Sequence, residues 1–235
     1  MNHRRNNAVY AVAVISLMLA LMLVFGYTPL ATISFAGFSI TLMGIPMAVI
    51  SCLFGPWMGL FAGAVWGTIA FTNAWFGMDA LGYALLNEPS IPLGLRIGGI
   101  LTCCYVARML VGFLSGLFFD LMHTVDHKGY WSSLVGSATV PLLNTTFFMT
   151  FFCLFFYSTD FLQQNYVLKL GAANPFLFVV LLVGWNFLIE FLVNTILGST
   201  VTYGIYAGSR KLNVVSPFPH FFQKKQKKAA GTALK

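Results

Sequence analysis

Long apolar stretches are the feature that most limits what this chain of 235 residues can fold into. A helix needs roughly 20 apolar residues to cross a hydrocarbon core of ~30 Å. Six stretches approach or exceed that length: residues 8–25, 38–54, 57–75, 99–122, 132–157 and 175–206. They lack the strict alternation of barrel strands, and with 58% hydrophobic and 8% charged residues the chain cannot cover a soluble globule. The sequence therefore predicts an all-α integral membrane protein built as a six-helix bundle.

The positions of the basic residues predict the orientation of the bundle. The formal net charge is +7, and most of the positive charge falls in segments that an even number of crossings places on one side. These residues are Arg4, Arg5, Lys128, Arg210, Lys211, Lys224, Lys225, Lys227, Lys228 and Lys235. The positive-inside rule then puts both termini in the cytoplasm, and it explains the charge without a nucleic-acid partner.

The chain divides into a membrane domain, residues 1–212, and a basic cytoplasmic tail, residues 213–235. We expect the tail to be partly disordered. Its lysine cluster at 224–228 could touch anionic membrane lipid or dock a specific partner.

Two charged residues lie inside otherwise apolar stretches, Arg108 and Glu190. A charge at bilayer depth costs at least ~2.5 to 3.5 kcal/mol on insertion scales, so each is a functional-site hypothesis. Asn186, Glu190 and Asn194 are spaced four apart, which puts them on one helix face. At ~1.5 Å per residue, Arg108, Asn144 and Asn186 fall near mid-membrane, with Glu190 about one turn closer to the cytoplasm.

This polar layer has two interpretations. In the first, Arg108 binds a carboxylate or phosphate of a solute, because guanidinium groups bind oxyanions bidentately, and Asn144 and Asn186 supply amide contacts. Other candidate contacts supply aromatic or hydroxyl groups, as small-molecule sites commonly do: Trp66, Thr72 and Tyr105. In the second interpretation, Arg108 and Glu190 form a structural ion pair. Glu190 and Asn194 are then support or coupling residues.

Several classes of activity lack their motifs. The sequence has no Gly-x4-Gly-Lys-Ser/Thr for ATP hydrolysis and no His-Glu-x2-His for a membrane metalloprotease. Four cysteines lie in apolar stretches without Cys-x-x-Cys spacing, which predicts reduced core residues: Cys52, Cys103, Cys104 and Cys153. We therefore expect neither an enzyme nor a cofactor or metal site.

Small residues predict close helix contacts. Gly59, Gly63 and Gly67 form a continuous stripe on the third helix, which we expect to pack inside the bundle. Ser16 and Ala20 form a small-x3-small pair on the first helix, where another subunit could bind.

The order of several short motifs resembles a known transporter family. The stretches are Ile-Thr-Leu-Met-Gly-Ile-Pro at 40–46, Leu-Phe-Gly-Pro-Trp-Met-Gly at 53–59, Ala-Arg-Met-Leu-Val-Gly at 107–112 and Pro-Leu-Leu-Asn-Thr at 141–145, followed by Glu190. Over about residues 8–212 the chain is similar to the S component, the substrate-binding subunit, of energy-coupling factor (ECF) vitamin importers. The similarity is greatest to the pantothenate-type branch, although Ala107 stands where that branch has a proline and Asn87-Glu88-Pro89 where it has Asn-Pro.

The resemblance implies a mechanism and partners. An S component of a bacterial cell membrane binds a vitamin from outside, topples in the membrane, and releases the vitamin inside on engaging a coupling subunit and two ATPase subunits. Small residues on the first helix form the docking face in this family, which points to Ser16 and Ala20. Pantothenate is the favoured vitamin, with folate, cobalamin, riboflavin or another vitamin left open. The alternative is an ion- or proton-coupled secondary carrier of a small anionic solute in which Glu190 binds and releases the proton.

Overall fold

The computed structural model describes residues 2–28, 32–35, 38–214, 216–218 and 220. Within these residues the chain forms ten α-helices and one two-stranded hairpin. The helices are α1 (Asn2–Tyr27), α2 (Gly44–Phe54), α3 (Pro56–Trp75), α4 (Ala80–Asn87), α5 (Leu93–Leu101), α6 (Ala107–His123), α7 (Tyr130–Phe156), α8 (Asp160–Leu162), α9 (Leu168–Leu170) and α10 (Pro175–Lys211). Short π-helical segments join α5 to α6 (Thr102–Val106) and α8 to α9 (Gln163–Val167).

The helical membrane protein predicted from the sequence is confirmed. Among the described residues, four helical segments are long and apolar enough to cross a membrane: Arg5–Tyr27, Leu93–His123, Tyr130–Phe156 and Pro175–Lys211. The other two predicted stretches also contain helices, α2 and α3. With 11 residues, α2 is only about 16 Å long and too short to cross alone. A count of six crossings therefore stays a prediction.

A β-hairpin replaces the predicted beginning of the second helix. Strand β1 (Thr32–Phe35) pairs antiparallel with β2 (Phe38–Thr41), so the helix expected from residue 38 begins only at Gly44. The pairing matches like with like, Thr32 with Thr41 and Ile33 with Ile40, and these β-branched residues favour an extended chain. The hairpin brings the end of β2 against α10, where Asn194 Nδ2 donates to the Thr41 carbonyl at 2.8 Å.

Helices α3 and α6 approach each other closely through glycines. A Cβ atom added at Gly63 would lie 2.3 Å from the carbonyl oxygen of Arg108, and one at Gly59 would lie 2.2 Å from that of Gly112. The predicted packing of the glycine stripe inside the bundle is confirmed. The missing side chains let the two backbones touch, which fixes the position of Arg108 relative to α3.

The ends of the bundle are held by contacts between distant parts of the chain. At one end, which we call the loop end, Asn73 Nδ2 donates to the Gly26 carbonyl at 2.9 Å. At the opposite end, the terminal end, the Tyr10 hydroxyl donates to the Ile205 carbonyl at 3.4 Å. The start of the first long helix, α1, therefore lies beside the end of the last, α10.

The segment after α10 folds back onto the terminal end. The rings of Phe218 and Phe54 are 6.2 Å apart at 86°, and His220 Nδ1 lies 2.5 Å from Oδ1 of the fully buried Asp120. The first part of the predicted tail is therefore attached to the bundle. Residues 221–235, with the lysine cluster and its expected lipid contact, lie outside the described residues.

Candidate functional site

A cavity of about 270 Å³ lies between α3, α6, α7 and α10, beside the end of β2. The polar side chains that line it, within the described part of the chain, are one guanidinium, two carboxylates, two amides and one hydroxyl: Arg108, Glu190, Asp79, Asn73, Asn144 and Thr41. Trp66 contributes an aromatic wall. The cavity thus brings together the two membrane charges and two of the other residues predicted as solute contacts, Asn144 and Trp66.

Arg108 is held in a fixed orientation at the cavity wall. Its Nη1 donates to the carbonyls of Cys103 at 2.7 Å and Cys104 at 3.3 Å, in the π-helical segment just before it. The guanidinium carbon lies 5.6 Å from the ring centre of Trp66 and 5.4 Å from that of Phe148. The buried Nε has no hydrogen-bond partner among the described residues, so a donor of Arg108 stays available for a solute.

Two amides in the cavity also keep unused hydrogen-bonding capacity. Asn73 is oriented by its bond to Gly26, which leaves its buried Oδ1 without a partner in the described part of the chain. The buried Oδ1 of Asn144 likewise has none there. A buried polar atom without a partner costs about 1–3 kcal/mol, so such atoms commonly mark the place of a bound water or ligand.

Glu190 is anchored to the hairpin and not to Arg108. The Thr41 hydroxyl donates to Glu190 Oε1 at 2.9 Å, and Asn194 Nδ2 donates to the Glu190 carbonyl at 3.1 Å. No nitrogen of Arg108 lies within 4.0 Å of the Glu190 carboxylate. The structural ion pair left open by the sequence is therefore not formed, and both charges face the same cavity.

Three other predicted contacts are not among the described residues that line this cavity. The Thr72 hydroxyl lies 2.7 Å from the Tyr27 hydroxyl, and the Tyr105 ring packs against Phe71 at 6.2 Å. Asn186 is half-buried on α10. Asn194 is fully buried beneath the cavity, where it supports Thr41.

The sequence interpretation missed three polar residues of the cavity. Asn73 was detectable, because it is an amide near the end of an apolar stretch. Thr41 was hidden by the wrong helix assignment, and Asp79 by its position in a loop. All three reach the cavity only through the tertiary fold.

The predicted docking residues lie on the outer face of α1. Ser16 and Ala20 are exposed, with neighbouring large side chains such as Leu17 exposed as well. Such a face can contact lipid or another subunit, and its role as a docking site stays a prediction.

In the part of the chain that the structure describes, the sulfur and imidazole groups are not arranged as a metal site. All four cysteines are free, and Cys52, Cys103 and Cys104 are buried as predicted. Within the described residues, no group of three or more His, Cys, Asp or Glu side chains could hold a metal ion.

Comparison with known proteins identifies the family. The family model for the substrate-specific component of ECF transporters matches residues 11–206, which include the hairpin and all the cavity residues named above. A search of curated proteins found no match. Members of this family are transporter subunits that associate with an energising module of ATPases and a coupling subunit. Because the match covers well over half of the chain, the protein belongs to the substrate-specific components of ECF transporters.

Proposed function

We propose that this chain binds and translocates a vitamin or related micronutrient in a bacterial cell membrane, with pantothenate the favoured solute. It binds the solute from outside, topples, and releases it in the cytoplasm, where both termini lie. ATP hydrolysed by partner subunits drives the cycle, and the chain itself is not an enzyme. Ser16 and Ala20 serve as the docking face for the coupling subunit.

One observation carries the proposal: a cavity of about 270 Å³, lined by residues of helices long and apolar enough to cross a membrane, contains a guanidinium and an amide with free hydrogen-bonding atoms. Arg108 binds the carboxylate of the solute, and Asn144 bonds a neighbouring polar group. The volume is close to the lower end of the usual ~300 to 1,000 Å³ of ligand sites, which favours a compact vitamin such as pantothenate over a corrinoid.

Binding to the purified protein tests this function. Isothermal titration with pantothenate, together with native mass spectrometry for any co-purifying solute, should detect one bound molecule. Arg108→Ala should abolish binding while the protein stays folded. Arg210→Ala is the matched control, because Arg210 donates to the His127 carbonyl at the terminal end and does not line this cavity. Normal binding by Arg108→Ala would contradict the assignment.

The position of Glu190 favours one other function. Its carboxylate lines the cavity without an ion pair to Arg108, as a proton-binding group of a secondary carrier could. Uptake by proteoliposomes that contain only this chain and a proton gradient would support that alternative.

A further inference from the structure

The cavity offers hydrogen-bond acceptors to a solute as well as donors. The acceptors with free capacity are the amide oxygens of Asn73 and Asn144, the Asp79 carboxylate and the second oxygen of the Glu190 carboxylate. The oxygen is the free end of the Asn73 amide, because its Nδ2 donates to the Gly26 carbonyl. Among the described lining residues the charged donor is Arg108, whose Nη1 is bound to backbone carbonyls and whose Nε is free. A solute that only accepts hydrogen bonds would leave these acceptors unused.

The charges point the same way. Among the lining residues that the structure describes, one guanidinium faces two carboxylates, so their ionised side chains carry a formal net charge of −1. Glu190 receives one hydrogen bond, from Thr41, and the Asp79 carboxylate receives none from the described residues. A second anionic group on the solute would be repelled by the half-buried Glu190 carboxylate and, more weakly, by the exposed Asp79 carboxylate.

The acceptors also lie at different depths. Asn73 is in the last turn of α3 and Asp79 caps α4, both at the loop end. The Arg108 backbone packs against Gly63, and Asn73 lies ten residues further along α3, roughly 15 Å towards the loop end. The Arg108 side chain turns towards that same end to reach the Cys103 carbonyl, and Glu190 lines the cavity beside Thr41. A solute bound to Arg108 therefore has acceptors beside it at Glu190 and above it at the mouth.

We propose that Glu190, Asp79 and Asn73 select a small monoanion that presents hydroxyl or N–H donors away from its single anionic group. This inference rests on the proposed function and adds which residues of the cavity bind which part of the solute. Arg108 takes the anion, Glu190 accepts from a donor near it, and Asp79 with Asn73 accepts from a donor at the mouth. Pantothenate has this distribution, since it carries one carboxylate together with hydroxyl groups and an amide N–H.

The test compares three probes on the purified full-length protein by isothermal titration. They are pantothenate, an analogue in which its hydroxyl groups are replaced by hydrogen, and a dicarboxylate of similar length. We expect pantothenate to bind at least about 10-fold more tightly than either of the others, because a hydrogen bond to a charged group is worth about a factor of ten or more.

Isosteric variants assign the roles. Glu190→Gln and Asp79→Asn exchange one acceptor oxygen for a donor, and each should weaken pantothenate binding about 10-fold while reducing the preference over the hydroxyl-free analogue. Glu88→Gln and Asp160→Asn are matched controls outside the cavity and should change neither the binding of pantothenate nor this preference. Thr41→Val keeps the Glu190 carboxylate and removes the hydroxyl that orients it, so it should weaken binding less than Glu190→Gln.

The outcomes separate this inference from the proposed function. Suppose that pantothenate binds and Arg108→Ala abolishes binding, but Glu190→Gln and Asp79→Asn bind like the wild type and the hydroxyl-free analogue binds like pantothenate. The inference that these acceptors select a solute with donor groups is then overturned, and the proposed function stands. If no probe binds the wild-type protein, the pantothenate proposal fails together with the inference. The melting midpoint without solute checks that each variant is folded.

Discussion

A single methyl group on Gly63 should disturb both the bundle and the cavity. The new Cβ would lie 2.3 Å from the Arg108 carbonyl oxygen and 2.7 Å from the Met109 Cα, both of which are backbone atoms that no side-chain rotation can move. Ordinary contact begins at 3.4 Å, so α3 and α6 must separate by about 1 Å. Overpacking of this kind typically costs 1–3 kcal/mol.

The same displacement should affect binding more than stability. Trp66 on α3 and Arg108 on α6 face each other at 5.6 Å, and a shift of ~1 Å in a positioned group can cost a factor of up to 100. We expect Gly63→Ala to lower the melting midpoint by several degrees and to weaken pantothenate binding at least about 10-fold. Differential scanning fluorimetry in detergent and isothermal titration measure the two effects.

Gly98→Ala is the matched control for this variant. Gly98 lies on the continuous helical segment Leu93–His123, which also carries Arg108, and a Cβ there would meet nothing within 4 Å. Alanine is the better helix former by roughly 0.5–1 kcal/mol, so the control should be as stable as the wild type or more so. If Gly63→Ala and Gly98→Ala melt and bind alike, the close packing of α3 on α6 does not position Arg108 as described.

The remaining predictions concern the terminal end and the outer face. His220→Ala should destabilise the protein by about 1–3 kcal/mol in chemical denaturation, because the buried Asp120 carboxylate loses its bond to His220, and adding Asp120→Ala should recover part of that loss. Burial raises the pKa of Asp126, but the backbone N–H groups of the turn and of the start of α7 lower it by more in sum, so its pKa lies below the ordinary value. The stability that the ionised Asp126 carboxylate contributes should therefore be complete above its unfolded-state pKa near ~4 and be lost as pH falls through its folded-state pKa. Below about pH 5, the melting midpoint of Asp126→Ala should therefore depend less on pH than that of the wild type. Ser16→Leu should leave pantothenate binding by the isolated chain intact and reduce ATP-dependent uptake with the partner subunits; unchanged uptake would remove Ser16 from the docking face.

The parts of the fold that could be predicted from the sequence are those with a simple spacing rule. Apolar length located the long helices, and the four-residue glycine spacing predicted the face of α3 that touches α6. The hairpin at 32–41 had a local signal too, since its strand residues repeat in reverse order around Ala36-Gly37. Hydropathy obscured that signal, because Phe38 and Ile40 continue directly into the apolar residues of α2.

The residues of the candidate site that the sequence identified best are those with a charge that is unfavourable inside a membrane. A charge in an apolar stretch stands out, so Arg108 and Glu190 were identified, and depth counting placed Asn144 beside them. Depth alone carries no information on which side of a helix faces which neighbour. Thr72 shares its helix with Trp66, yet it is bonded to Tyr27 and does not line the cavity. Asp79 and Thr41 reach the cavity through a loop and a hairpin whose paths depend on the whole bundle.

Reconstituted transport tests the central claim most directly. Proteoliposomes that contain this chain, a coupling subunit and the two ATPase subunits would be loaded with ATP and supplied with labelled pantothenate outside. We predict accumulation that requires both ATP and the partner subunits, that is lost with Arg108→Ala, and that persists with Arg210→Ala. Accumulation by this chain alone under a proton gradient, or full transport by Arg108→Ala, would contradict the account.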